Sequence, residues 1–97
     1  MRIHWTDNAI AHLVDIYEYI AHDSLIYAKR MVDIITRRSE QIANFPMSGH
    51  SVLEYEADDI REIIETPYRI IYRIKPDQID VLAVIHCAQL LPDKASL

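Results

Sequence analysis

Two periodicities divide the chain. Ahead of Phe45 the apolar residues recur at helical spacing; beyond Pro67 they alternate. Ala9, Leu13, Ile16, Tyr17 and Ile20 fall on one helical stripe, with Asp15, Glu18 and His22 off it. Thr6 is placed to cap this helix and Asp7 to sit at its positive end; the helix should end near His22-Asp23. Ser24 can cap a second helix, whose buried stripe reads Ala28, Met31, Val32, Ile35, Ser39 and Ile42. Pro46 stops it, and Phe45 is expected to fold back onto the core. So short a connection predicts an antiparallel helical hairpin.

Strands flank the helices. Arg2 to Trp5 reads as a short opening strand with Ile3 and Trp5 on one face, and Trp5 is expected to fill the gap between sheet and first helix. Ile60 to Ile74 reads as two strands joined at Thr66-Pro67, since proline cannot donate to a ladder. Tyr68, Ile70, Tyr72 and Ile74 then point to the core, and Arg69, Ile71, Arg73 and Lys75 point away from it. Lys75-Pro76-Asp77-Gln78 is a turn, followed by a last strand from Ile79 to His86. That turn pairs Ile74 with Ile79 and Arg73 with Asp80, sets Arg69 opposite Val84, and brings His86 to the same surface as Arg69, Arg73 and Asp80; a slip of one residue would send His86 to the other face. Gly49, the only glycine, is expected at a positive φ in the turn after the second helix. The order predicts one α+β domain over residues 1–97, β-α-α-β-β-β, with the hairpin on one face of a largely antiparallel sheet and a mobile tail from about residue 89.

Composition narrows the chemistry. A hydrophobic fraction of 51% and a single glycine fit a folded globule. The lone Cys87 can form no internal disulfide and belongs to no metal set; it reads as a small strand-end filler in a reducing cytoplasm. His4, His12 and His22 lack ligand-spaced partners and read as surface residues, so neither a metal nor another cofactor is expected. There is no signal peptide and no segment of membrane-spanning length. The net charge of −5 is the wrong sign for binding nucleic acid by charge alone, so any such role would need a local patch. Lys29, Arg30, Arg37 and Arg38 on the second helix are candidates for one, or for an acidic partner, although the simpler reading is a solvated face. Glu54, Glu56, Asp58 and Asp59 form an acidic block that can screen a basic groove or attract a basic partner.

Over about residues 1–88 the chain resembles the RelE/ParE superfamily of toxins from bacterial toxin–antitoxin modules. The resemblance lies in Trp5-Thr6 ahead of a helix with Ala9, Leu13, Ile16 and Tyr19-Ile20, and in Phe45-Pro46-Met47-Ser48-Gly49 after the second helix. It continues through Arg61-Glu62-Ile63, the run Tyr68-Arg69-Ile70-Ile71-Tyr72-Arg73-Ile74, and a last strand ending in His86. It implies a small growth-inhibiting toxin neutralised by a cognate antitoxin encoded beside it. The chain departs from the family's pattern at His50 and at Cys87-Ala88-Gln89, where more basic residues are common.

The resemblance leaves three mechanisms open. ParE implies poisoning of DNA gyrase by protein–protein contact, without catalytic residues. RelE implies ribosome-dependent cleavage of mRNA, which needs an acid, a base and cations for the phosphorane charge; His86, Arg69 and Arg73 are the candidates. A member lacking both activities would serve only to bind antitoxin or assemble a repressor. For contact with a macromolecular partner the candidates are Arg37, Arg38, Arg61, Arg69 and Arg73. The losses of charge at His50 and Gln89 favour the gyrase reading, and an Arg73–Asp80 ion pair with His86 as a plain strand-end residue is the simplest account of the sheet face.

Overall fold

The computed structural model describes residues 1–97. Strand β1 (Arg2–Trp5) leads into helices α1 (Asp7–Ala21) and α2 (Leu25–Asn44), followed by β2 (His50–Ser51), β3 (Ile60–Glu65), β4 (Tyr68–Ile74) and β5 (Gln78–His86). The sheet order is β1-β5-β4-β3-β2, and only the β1–β5 pairing is parallel. The two-residue β2 is an addition to the order expected.

Local chemistry accounts for the helix bounds. The Thr6 side chain accepts a hydrogen bond from the Ala9 N–H and that of Ser24 from Tyr27, which satisfies an orphan donor at each helix start. Ala28, Met31, Ile35, Ser39 and Ile42 of α2 are buried as their spacing predicts, and Met31, Ile35 and Ile42 share one core with Ala9 of α1 and with Tyr68, Ile70 and Tyr72 of β4. Trp5 is half-buried against this core, while Phe45 does not fold back and is 69% exposed.

A second core lies on the other face of the sheet, where Ile60, Ile71, Leu82, Ala83 and Ile85 meet Val52 and Tyr55 of the connection between β2 and β3. Beyond residue 89, Leu91 and Leu97 lie against it, and the Tyr55 hydroxyl donates to the Pro92 carbonyl. The face carrying Arg69 and Arg73 is therefore largely covered.

Near the turn the register is as expected: Ile74 pairs with Ile79 and Arg73 with Asp80. A bulge then intervenes, for Tyr72 pairs with Val81 but Ile71 with Ala83. Leu82 is the extra residue, and Leu82 and Ala83 both serve the second core. From there Arg69 lies opposite Ile85, not Val84, and His86 lies opposite Tyr68 on the helix side.

Gly49 has φ −78°, so a left-handed turn is not its purpose. Its purpose is close approach. A Cβ there would stand 2.4 Å from the Tyr72 hydroxyl and 2.7 Å from the Glu62 carbonyl oxygen. The Gly49 N–H donates to that hydroxyl at 3.0 Å, and the hydroxyl donates to the Pro46 carbonyl at 2.7 Å. Gly49→Ala should therefore destabilise the protein by about 1–3 kcal/mol, read in a denaturant or thermal melt. Adding Tyr72→Phe should recover only part of the loss, because the Glu62 carbonyl still blocks the methyl group.

Candidate functional site

The five candidate arginines are all engaged. On the covered sheet face Arg69 binds Glu54 with its two terminal nitrogens at 3.0 and 3.2 Å, and reaches Glu62 through Nε at 3.1 Å and through Nη2. The Arg69 and Glu62 side chains are 14% and 12% exposed, so this pair is mostly withdrawn from water. Hydrogen bonding from Glu54, then Glu62, pushes the guanidinium further up despite its burial, and the same contact with Arg69 holds Glu54 below the usual carboxylate value. Arg73 Nε stands 3.3 Å from Asp59 Oδ2. Arg61 donates to the Gly49 carbonyl at 2.8 Å. On α2, Arg37 pairs with Asp33 and Arg38 Nε lies 3.2 Å from Glu65 Oε1.

The expected Arg73–Asp80 ion pair does not form, although the two residues are in register. Asp80 takes Lys75 Nζ at 2.7 Å and a Gln78 hydrogen bond at 2.7 Å. Burial opposes its charge, but those contacts keep the carboxyl below its ordinary pKa. The acidic block thus screens the basic strand from within: Glu54 and Asp59 are the partners of Arg69 and Arg73.

His86 is separated from both arginines by the sheet. It stands edge-on to Tyr68, with ring centroids 5.6 Å apart at 87°. The two line a groove of about 500 Å³ between α1 and the ends of β4 and β5, together with His12, Asp15 and Tyr19. His86 Nδ1 accepts the Ala88 N–H at 3.0 Å, and His12 Nδ1 accepts the Val84 N–H at 3.2 Å. In the neutral imidazole each proton then sits on Nε2. The expectation of surface histidines fails at His12, which is half-buried and closes the edge of β5 beyond the end of β1. A lone histidine beside an apolar stripe gave no signal of that bond. Cys87 is exposed and fills nothing. No cluster of His, Cys, Asp or Glu has the geometry to hold a metal ion, and no helix is long and apolar enough to cross a membrane.

A two-helix hairpin on one face of a five-stranded sheet in this order is the ParE-like α+β fold of the RelE/ParE toxins. The ParE toxin of the type II toxin–antitoxin system parDE, as a family, matches residues 3–91, and the chain belongs to that family. It is 34% identical over 93 residues to the Sinorhizobium fredii (strain NBRC 101917 / NGR234) protein Y4kP, named as a candidate toxin; the match covers 94% of this chain and 93% of that one. In fold it is similar to a structure described as the chromosomal ParDE TA system from P. aeruginosa, with a TM-score of 0.72, 23% identity, and coverage of 89% of this chain and 95% of the other.

Two stability predictions follow from these contacts. Arg69→Ala strands the Glu62 carboxylate at a site only 12% exposed, and should cost about 2 kcal/mol at neutral pH in a denaturant melt. Burial holds His12 below its ordinary value of 6.5, outweighing Asp15, which pulls it up. Below that value the unfolded chain binds a proton that folded His12 refuses, so the unfolded state is favoured as pH falls. Between about pH 7.5 and about pH 5.5 the wild type should lose more melting temperature than His12→Gln, which can still accept the Val84 N–H but does not titrate.

Proposed function

We propose that the chain arrests growth by binding and poisoning DNA gyrase in the cytoplasm through protein–protein contact, and that a cognate antitoxin encoded beside it holds it in check. The observation that carries this reading is the separation of the chemistry an RNA-cleaving site would need. Arg69 and Arg73 are paired with carboxylates of their own chain, and His86 lies on the opposite side of the sheet from both. Cleavage of RNA through its 2′-hydroxyl needs a proton-transfer group and free cations at one phosphate. A poison acting by surface contact needs neither, so His50 and Gln89, in place of more basic residues, take nothing from it. Family membership supports the antitoxin as partner. The exposed Arg37, with Arg38 beside it, is the most accessible of the candidate contact arginines.

The test is gyrase supercoiling with the purified protein, beside cleavage of ribosome-bound mRNA. Inhibition of supercoiling with accumulation of cleaved DNA is expected, retained in His86→Gln and weakened in the Arg37→Ala, Arg38→Ala double variant. Codon-positioned mRNA cleavage that disappears in His86→Gln, with gyrase unaffected by the wild type, would overturn the reading.

A further inference from the structure

The groove that holds His86 has a character that neither gyrase poisoning nor RNA cleavage explains. Half of its lining is apolar, with Tyr68, Tyr19 and Ile16 on that side, and His12, Asp15, His86 and Gln89 supply polar groups; no Lys or Arg lines it. The hydroxyls of Tyr27 and Tyr19 lie near enough to Tyr68 to raise its pKa further, after burial, the larger cause. The only charged side chain of the lining is Asp15. A second hollow shares Asp15 and Tyr19 and adds Glu18, His22 and Asp23.

The acidity here differs in kind from that of the sheet. Glu54, Asp59, Glu62 and Asp80 are matched by internal cations, whereas Asp15, Glu18 and Asp23 take part in none of the protein's ion pairs. Helix α1 has no Lys or Arg in its last turn to offset the negative end of its dipole, although the N–H groups of His22, Asp23 and Ser24 take up the Glu18 and Ile20 carbonyls there. Tyrosine side chains lining a hollow, with a carboxylate beside them that no Lys or Arg pairs, favour one kind of guest, a cation on an apolar stem.

We propose that this groove is the docking site of a basic, amphipathic segment of the antitoxin, which seats an arginine or lysine between Tyr19 and Tyr68 and pairs it with Asp15. The proposal rests on the toxin–antitoxin reading for the source of the segment, and on the groove's charge and aromatic walls for its chemistry. An acidic or purely apolar segment would bring no charge to satisfy Asp15.

The test measures the dissociation constant of the purified cognate antitoxin for the wild type, for Asp15→Lys, for Tyr19→Ala and for the control Glu40→Gln, which removes an exposed acid far along α2. All three positions are exposed, so the fold should survive, and matching melting curves verify it. Asp15→Lys and Tyr19→Ala should each weaken binding about tenfold or more, with Glu40→Gln unchanged. Equal affinity of wild type, Asp15→Lys and Tyr19→Ala would overturn the groove while leaving the antitoxin as partner. If the wild type binds no antitoxin, that wider reading fails, and a peptide titration followed by NMR decides the groove alone. An acetylated, amidated peptide of alternating arginine and leucine should then shift the Tyr19, Tyr68 and His86 signals saturably. No shift, or an equal shift with glutamates replacing the arginines, would overturn the proposal.

Discussion

Burial of β5 on both faces is the constraint from which most of this structure follows. The strand lies between β1 and β4, under the helical hairpin on one side and under the 52–55 connection on the other, and every residue from Ile79 to Ile85 is buried. Apart from Asp80, whose carboxylate is met by Lys75 and Gln78, such a strand carries no polar side chain on either face. With apolar side chains wanted on both sides, it can carry an extra residue at Leu82 without exposing anything, and the bulge it makes turns the end of the strand over. His86 reaches the helix side for that reason.

The same constraint explains what could be read in the sequence. Helix α2 was legible because its buried stripe stands out against Lys29, Arg30, Asp33 and Glu40, and β4 because Tyr and Ile alternate with Arg. Proline and aspartate mark the turn at Lys75–Gln78, which fixes the first pairs after it, Ile74 with Ile79 and Arg73 with Asp80. Farther on, Val81-Leu82-Ala83-Val84-Ile85 offers no alternation, and an insertion in an unbroken apolar run leaves no trace in the pattern. The face that His86 takes depends on the number of residues in that run. Gly49 was legible as a necessity but not in its reason, since its close neighbours, Tyr72 and Glu62, are distant in sequence.

The candidate site was legible in composition and not in pairing. A strand with two arginines and a loop with four acids suggested a screened surface, and Glu54 and Asp59 do screen it. Glu62, the most withdrawn partner of Arg69, could be paired with it only once β3 was known to lie against β4. The groove was the least legible feature, because it joins α1 to the far ends of two strands and takes its walls from four separate stretches of chain.

The two helices of the hairpin also differ in sign. Helix α1 carries three acids and no Lys or Arg, whereas α2 carries four Lys or Arg against two acids. They lie side by side, so the outer layer of the molecule is an electrical doublet. At physiological salt its field reaches only about 8 Å, which is far enough to turn an approaching macromolecule before the surfaces touch. An approaching chain with its own uneven charge meets a torque as well as an attraction. Productive orientation is then selected during the encounter, over a distance at which no side chain has yet made contact.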